Sequence, residues 1–263
     1  MMKKLIVSDF DGTLVNSEDE IPTSTVMIID NLRRKDYKFC IATGRSIKSV
    51  LDYNHDFHFI DYIISSNGAY IYDTEKEKVI YKKNMLISNV KKIVKMFYDK
   101  SIIYLTDNVT WNLISEKSAY EEDYDVIKIE DYEKFIEDNK TNIFKIEAYF
   151  KSVEDVKEAL EDLKKLNLKI NVNMQINGSK YLLEITHQDV DKYEGVLKVC
   201  EKNKIDISDV IAFGDGHNDI ELIKNVGIGV AVSNAVEEVK EVAKAITDDC
   251  NNKGVEKYLK NLD

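Results

Sequence analysis

Apolar positions in this chain come in short runs that close on polar, glycine-containing segments. Lys3 to Ser8 is one such run, ending at Asp9 and Asp11 and followed by Gly12-Thr13, which predicts a buried strand opening into a loop. Thr23-Ser24 then precedes an apolar periodicity from Val26 to Leu32, the pattern of a capped helix. Tyr37 to Ala42 reads as a second strand closed by Thr43-Gly44-Arg45, and Tyr62 to Ser65 as a third closed by Asn67-Gly68. The far end repeats this grammar: a strand at Val210 to Phe213, a loop at Gly214-Asp215-Gly216-His217-Asn218-Asp219, and a helix at Ile220 to Asn225. Short strands follow at Ile228 to Val232 and Ala245 to Thr247, separated by a helix through Ala243 that Asn234 is expected to cap. Strands alternating with helices in this way predict parallel pairing, with the loops converging at the carboxyl edge of one sheet.

Between these ends, from 82 to 186, the pattern changes. Ser152 precedes a helix with apolar positions Val153, Val156, Leu160, Leu163 and Leu166. Longer strands flank it at Ile143 to Phe150, Leu168 to Ile176 and Tyr181 to Ile185, which predicts an α+β insert. No Pro- or Ser-rich linker marks its edges, and the only proline is Pro22. The expected organisation is a core from residues 1–81 and 187–263 with an insert at 82–186.

Composition narrows the function. Lys and Arg number 37 against 48 Asp and Glu, a formal net charge of -11, which excludes a nucleic-acid binder held by bulk charge. The 263 residues are 44% hydrophobic and 32% charged, as expected of a chain that folds around a core. Apolar stretches are interrupted within about ten residues, well short of the ~18–20 that cross a bilayer. The Met1-Met2-Lys3-Lys4 start lacks a signal peptide's cleavage site and meets two carboxylates instead. Cys40, Cys200 and Cys250 are far apart and form no C-x-x-C pair, so neither a disulfide framework nor a zinc site is expected. A reducing, cytoplasmic location fits.

Asp9 and Asp11 lie two apart at a strand's end, where both carboxylates can leave on one side of the chain. One acid can stay ionised as nucleophile or metal ligand while the other works as general acid and base; the bland alternative is a solvated Asp-Gly turn. Thr43-Gly44-Arg45 offers a hydroxyl, an unencumbered N–H and a guanidinium to an anion, or is an ordinary strand-to-helix junction. Gly214-x-Gly216 lacks the third glycine of a dinucleotide fingerprint, and Asp215 would oppose a pyrophosphate, so a metal ligand is its better role. Asp215 and Asp219 bring further acids to the same sheet edge, a set that would repel itself unless a hard cation such as Mg²⁺ were held within it. Lys192, taken alone, reads as a solvated lysine. The charge run Glu116 to Asp125 reads as a solvated face, and Cys40 as a buried, inert thiol.

The order of these segments decides among the alternatives. Asp9-Phe10-Asp11-Gly12-Thr13-Leu14, then Thr43-Gly44-Arg45, then Lys192, then Gly214-Asp215-Gly216-His217-Asn218-Asp219 resembles the four ordered motifs of the haloacid dehalogenase (HAD) superfamily. Asn67-Gly68-Ala69, and the tail from Gly227-Ile228-Gly229-Val230-Ala231 through Asn234-Ala235 to Gly254-Val255, resemble its Cof-type branch, subfamily IIB. In one place the chain departs from that branch. Its third motif usually reads Lys-Gly-x-Ala or Lys-Gly-x-Gly, whereas here it is Lys192-Tyr193-Glu194-Gly195.

The resemblance implies an α/β fold: a three-layer Rossmann-like HAD core with a parallel sheet, plus an inserted α+β cap domain of type two. It also implies a phosphatase in which Asp9 attacks phosphorus to form an aspartyl-phosphate and Asp11 serves as acid, then base. Mg²⁺ would be held by the Asp9 carboxylate, the Asp11 backbone carbonyl and Asp215, with Asp219 positioning metal-bound water. Thr43 and the Gly44 N–H would hold phosphoryl oxygens and Lys192 would offset charge, with Gly12, Arg45, Asn67 and Asn218 as further phosphate or substrate contacts and Glu184 as a substrate-wall candidate. The implied partner is a small phosphorylated metabolite such as a sugar phosphate, with no nucleic acid or membrane. The competing expectations are a sugar phosphomutase and a non-catalytic phospho-acceptor.

Overall fold

Two sheets hold the strands of the described residues. A computed structural model describes residues 4–53, 58–98, 100–106, 110–112, 127–128, 132–138, 142–178 and 180–262. In chain order the elements are β1 (Lys4–Ser8), α1 (Thr23–Arg33), β2 (Tyr37–Ala42), α2 (Ile47–Tyr53), β3 (Tyr62–Ser65), β4 (Tyr70–Asp73), β5 (Lys78–Lys82), α3 (Ile87–Phe97), β6 (Ile102–Thr106), β7 (Thr110–Asn112), β8 (Ile127–Lys128) and α4 (Tyr132–Asp138). There follow β9 (Lys145–Phe150), α5 (Val153–Lys165), β10 (Ile170–Asn177), β11 (Lys180–His187), α6 (Lys192–Asn203), β12 (Val210–Gly214), α7 (Ile220–Asn225), β13 (Ile228–Val232), α8 (Glu237–Val242), β14 (Ala245–Thr247) and α9 (Gly254–Lys260). The chain divides into two units: Met1–Gly44 with Asn54–Tyr81 and Asp191–Asp263, and Arg45–Tyr53 with Lys82–Val190. Residues 45–53 and 187–190 group with the second unit, whereas the sequence reading assigned them to the core.

The first unit is built on a sheet of order β14-β13-β12-β1-β2-β3-β4-β5, parallel from β14 to β3, with β4 antiparallel to β3. Its central strand explains the arrangement: Leu5, Ile6 and Val7 are all fully buried, so both faces of β1 must be covered. Leu5 and Val7 cluster with Val196, Val199 and Cys200 of α6, Leu222 and Ile223 of α7 and Val239 of α8. On β12, Ala212 joins that cluster while the next residue, Phe213, meets Tyr258 of α9 edge-on at 5.4 Å between ring centroids. Helix α1 packs on α9 and β2. Helices on both faces of a mainly parallel sheet make this the expected three-layer α/β architecture. Cys40 is buried in it, and burial pushes its thiol well above the usual range.

Two helix starts differ from expectation for the same reason, a capping side chain being taken by a distant partner. Helix α1 begins at Thr23 behind Pro22 with no side-chain cap. The Ser24 and Thr25 hydroxyls instead donate to Glu256 Oε2 at 2.6 and 3.1 Å, and Lys260 donates to Oε1 at 2.7 Å. Helix α8 begins at Glu237 behind Val236, because the Asn234 amide donates to the Gly12 carbonyl at 2.8 Å and its oxygen accepts from Cys250 N–H at 3.1 Å. The β4–β5 pair, turned through Glu77 at φ 48°, was not anticipated from the sequence.

The Glu256 contacts carry a prediction. Burial works against its charge, but bonds from Lys260, Ser24 and Thr25 outweigh it and hold the carboxyl at about 2, against 4.5 ordinarily. A lowered folded-state pKa means that this stabilisation is complete above the unfolded value and is lost as pH falls through the window from 4.5 to about 2. Glu256→Gln should therefore cost about 1–2 kcal/mol in urea unfolding at pH 7 and much less near pH 2. An equal cost at both pH values would contradict the assignment.

The second unit is a sheet of order β10-β11-β9-β6-β7-β8, antiparallel except for the β7–β8 pair. One face is apolar: Ile103, Leu105, Ile146, Ala148, Leu183 and Ile185 pack on α3, α4 and α5 through residues such as Ile93, Phe97, Ile136, Val156 and Leu163. Ser152 caps α5 as expected, its Oγ accepting from Asp155 N–H at 3.1 Å. The residues that alternate with the apolar ones form an ionic cluster, in which Lys145 Nζ lies 3.0 Å from Glu147 and 3.4 Å from Glu184. Glu184 also accepts from Asn173 and Gln175 at 3.0 and 2.6 Å. The charge run at 116–125 lies outside the described residues. Among the described residues no helix is long and apolar enough to cross a membrane.

Candidate active site

Parallel pairing brings the carboxyl ends of β1 and β12 side by side, with Ser8 in register with Phe213 and Asp9 N–H donating to the Phe213 carbonyl at 2.9 Å. The residues that leave these two strands, Asp9 and Asp215, are thus neighbours although 206 positions separate them in sequence. Asp9, Asp215 and Asp219 each place a carboxylate oxygen within 4.8 Å of the others. Asp219 is fully buried and Asp9 nearly so.

Lys192 is the cation of this cluster. It opens α6 directly after Asp191, whose carboxylate caps the helix by accepting from Glu194 N–H at 2.7 Å. Its side chain is 1% exposed, and Nζ donates to Asp9 Oδ1 and to Asp219 Oδ1, both at 2.6 Å. The solvated-surface alternative for this lysine is therefore wrong. Tyr193, at the position where the branch usually has glycine, continues the helix and packs against the core cluster. The glycine that this site requires is Gly195, where a Cβ would lie 2.7 Å from Ile64 Cγ2.

The two loops hold each other. Gly12 sits at φ +76°, and a Cβ there would come within 2.8 Å of Asp215 Oδ2, so both backbone and space demand glycine. Thr13 donates through Oγ1 to Asp215 Oδ1 at 2.7 Å. Asp219 Oδ2 accepts from the N–H groups of Asp215 and Gly216, each at 3.0 Å, which tightens the turn after β12. Thr13 and Asn234 were not among the expected site residues. Thr13 lies within the first motif and could have been found there, whereas nothing local marks Asn234 as the partner of Gly12.

The remaining expected residues fall into two groups. Thr43 is buried at the end of β2, with its N–H bonded to the Ile64 carbonyl at 2.8 Å and its carbonyl accepting from Asn67 N–H at 2.9 Å; Gly44 follows it. Asn218 Nδ2 donates to Asn67 Oδ1 at 3.0 Å. Asp11 is solvent-exposed in the loop after β1, bridged to Val15. Arg45 and Glu184 belong to the second unit, where Glu184 is occupied by Lys145, Asn173 and Gln175.

The cluster's electrostatics point outward for charge. Burial is the largest influence on Asp9 and raises its pKa well above the usual carboxylate range; Lys192 opposes this, while Asp219 and Asp215 add to it. Asp215 is raised by burial and by Asp219, with Thr13 pulling the other way. Lys192 is held above the ordinary lysine value because its two carboxylates outweigh burial. With all three carboxylates ionised, one ammonium leaves two negative charges unmatched, the charge of a divalent cation, and the raised values of Asp9 and Asp215 express the cost of that surplus. Oxygen donors of this kind suit a hard ion such as Mg²⁺ rather than a soft one. The residues present fit the group.

Comparison with known proteins follows the same lines. The pattern of the haloacid dehalogenase-like hydrolases matches residues 6–259. The chain belongs to this family. Among similar curated proteins, the putative phosphatase YkrA of Bacillus subtilis is 27% identical, covering 100% of this chain and 98% of its own. The 5-amino-6-(5-phospho-D-ribitylamino)uracil phosphatase YcsE of the same organism is 29% identical, covering 98% of this chain and 94% of its own. A haloacid dehalogenase-like hydrolase from Bacteroides thetaiotaomicron superposes with a TM-score of 0.82 at 25% identity, over 99% of this chain and 100% of its own. The subclass IIB sugar phosphatase BT4131 shares the fold at a TM-score of 0.81, with 24% identity and 99% of each chain covered.

Proposed function

We propose that the protein is a Mg²⁺-dependent phosphatase of small phosphate monoesters, sugar phosphates or related metabolites, working through an aspartyl-phosphate on Asp9. The observation that carries this reading is the buried Asp9 carboxylate, bonded to Lys192 and flanked by Asp215 and Asp219. A carboxylate in that position, kept from water and short of compensating charge, is a nucleophile waiting for a cation and an electrophile.

In the first half-reaction an Asp9 oxygen attacks phosphorus, the bond from phosphorus to the leaving oxygen breaks, and Asp11 gives its proton to that oxygen. In the second, Asp11 takes a proton from water as the water oxygen attacks phosphorus. The Asp9–phosphorus bond then breaks, releasing phosphate and restoring both acids. Asp11, exposed beside the buried Asp9, suits an acid that must exchange protons with solvent. Thr43, the Gly44 N–H and Asn218 hold phosphoryl oxygens, and Lys192 offsets their charge without leaving Asp9. Asp219 keeps Lys192 and the Asp215 turn in place. A bound Mg²⁺, held by the Asp9 and Asp215 carboxylates and the Asp11 carbonyl, supplies the charge that the phosphoryl group and the cluster lack.

Two curated relatives act on 5-amino-6-(5-phospho-D-ribitylamino)uracil, which supports including polyol phosphates in a substrate panel. The test is phosphate release from sugar phosphates, polyol phosphates, nucleotides and an aryl phosphate, with Mg²⁺ or with a chelator. Release that falls to background on chelation and returns with Mg²⁺ is expected. Release that persists in chelator would overturn the metal's role. Transfer between positions of one sugar without net release would point to a mutase, and a long-lived phosphorylated protein without turnover to a phospho-acceptor.

A further inference from the structure

Among the described residues there is one run of three consecutive positive φ angles: Ser66 at 49°, Asn67 at 55° and Gly68 at 107°. Two of these residues carry side chains, for which the left-handed region is unfavourable. All three are buried, and Ser66 Oγ has no hydrogen-bond partner. Such a conformation persists only where the surroundings over-determine it.

The surroundings here are the other catalytic segments. Asn67 N–H donates to the Thr43 carbonyl, locking the turn to the end of β2. Gly68 presses on the residue before Lys192, since a Cβ on it would lie 2.1 Å from the Asp191 carbonyl oxygen. Gly195 closes the same contact from α6, where a Cβ would sit 3.3 Å from Gly68 Cα. From this clamp the Asn67 side chain reaches the loop after β12 and accepts from Asn218 Nδ2 at 3.0 Å. One strained turn therefore touches the Thr43 segment, the start of the Lys192 helix and the Asn218 turn.

We infer that Asn67 is a positioning residue that acts through Asn218: by accepting one amide hydrogen it orients Asn218 toward the phosphoryl group, while the left-handed turn ties that orientation to Thr43 and Lys192. The inference rests on the phosphatase reading, in which Asn218 meets phosphate. It moves Asn67 from a direct phosphate or substrate contact to the frame behind one. An acceptor already committed to Asn218 is poorly placed to discriminate leaving groups.

A double-mutant cycle decides the matter. Asn67→Gly tolerates the positive φ while removing the side chain that accepts from Asn218; Asn218→Ala removes its partner; the double variant removes both. Affinity for inorganic phosphate with Mg²⁺, measured calorimetrically, should fall about 10-fold in each single variant. The double variant should be no more than about 2-fold weaker than either, because the two residues act as one. The loss in kcat/KM should be the same for a sugar phosphate and an aryl phosphate, and unfolding midpoints should stay near the parent's. An additive loss of about 100-fold in the double variant would overturn the inference. So would a loss that depends on the leaving group, an unchanged Asn67→Gly, or a parent that binds no phosphate. A parent that binds phosphate with the expected coupling yet hydrolyses no monoester would refute the phosphatase reading alone.

Discussion

Asp9→Asn should abolish phosphate release, lowering kcat by roughly 10⁴-fold or more, while leaving the protein folded and at least as stable as the parent in the presence of chelator. The loss follows from chemistry: an amide of nearly the same shape still accepts from Lys192 but cannot attack phosphorus. The stability effect follows from electrostatics. Burial and the neighbouring Asp219 and Asp215 raise the folded-state pKa of Asp9 well above its ordinary value. A carboxyl with a raised folded pKa loses the protein stability as the pH climbs from its ordinary value through the raised one, because the unfolded state ionises freely over that window and the buried group does not. Replacing it by a neutral isostere removes that cost. Thermal melts of parent and variant in chelator, beside phosphate release with Mg²⁺, test both halves. A variant that loses activity only because it unfolds would contradict the assignment of Asp9 as nucleophile, as would one that retains turnover.

Legibility in the sequence depended on the range over which a signal acts. Strands β1, β2, β3 and β12 were readable because burial on both faces makes each a continuous apolar run, and the polar loops that close them mark the carboxyl edge. The order of Asp9, Thr43, Lys192 and Asp215 along the chain carried the family resemblance, and the parallel register explains how segments so far apart converge. Side-chain partners were another matter. Lys192, taken alone, read as a surface lysine, because nothing beside it in the chain announces Asp9, 183 positions away, or Asp219; only its place in the motif order assigned it to the site. Ser24 and Asn234 looked like helix caps for the same reason. Their local pattern was correct for a cap, and a distant acceptor or donor outcompeted it: Glu256 for Ser24 and Thr25, the Gly12 carbonyl for Asn234. The turn at Ser66–Gly68 was legible as Asn-Gly punctuation, but its link to Asn218 was not.

Lys192→Met should injure both fold and function, and the two losses separate in combination with Asp9→Asn. Met has similar length and no charge, so it fills the space at the start of α6 and leaves Asp9 and Asp219 facing each other across it without the ammonium that each contacts at 2.6 Å. Removing one member of a buried ion cluster while the rest stay charged costs about 3–5 kcal/mol. For a chain of this size that corresponds to a fall of roughly 10 °C in the unfolding midpoint. Turnover should fall further than instability explains, by about 10²–10³-fold at temperatures where the variant is still folded, since the positive charge facing the phosphoryl group is gone. Adding Asp9→Asn to Lys192→Met then removes one of the two stranded carboxylates. The double variant should recover part of the lost stability while staying inactive, a coupling that contacts of independent worth do not produce. Additive melting shifts would mean that Lys192 stabilises the unit by packing rather than by charge. A fully active Lys192→Met would remove the lysine from the mechanism altogether.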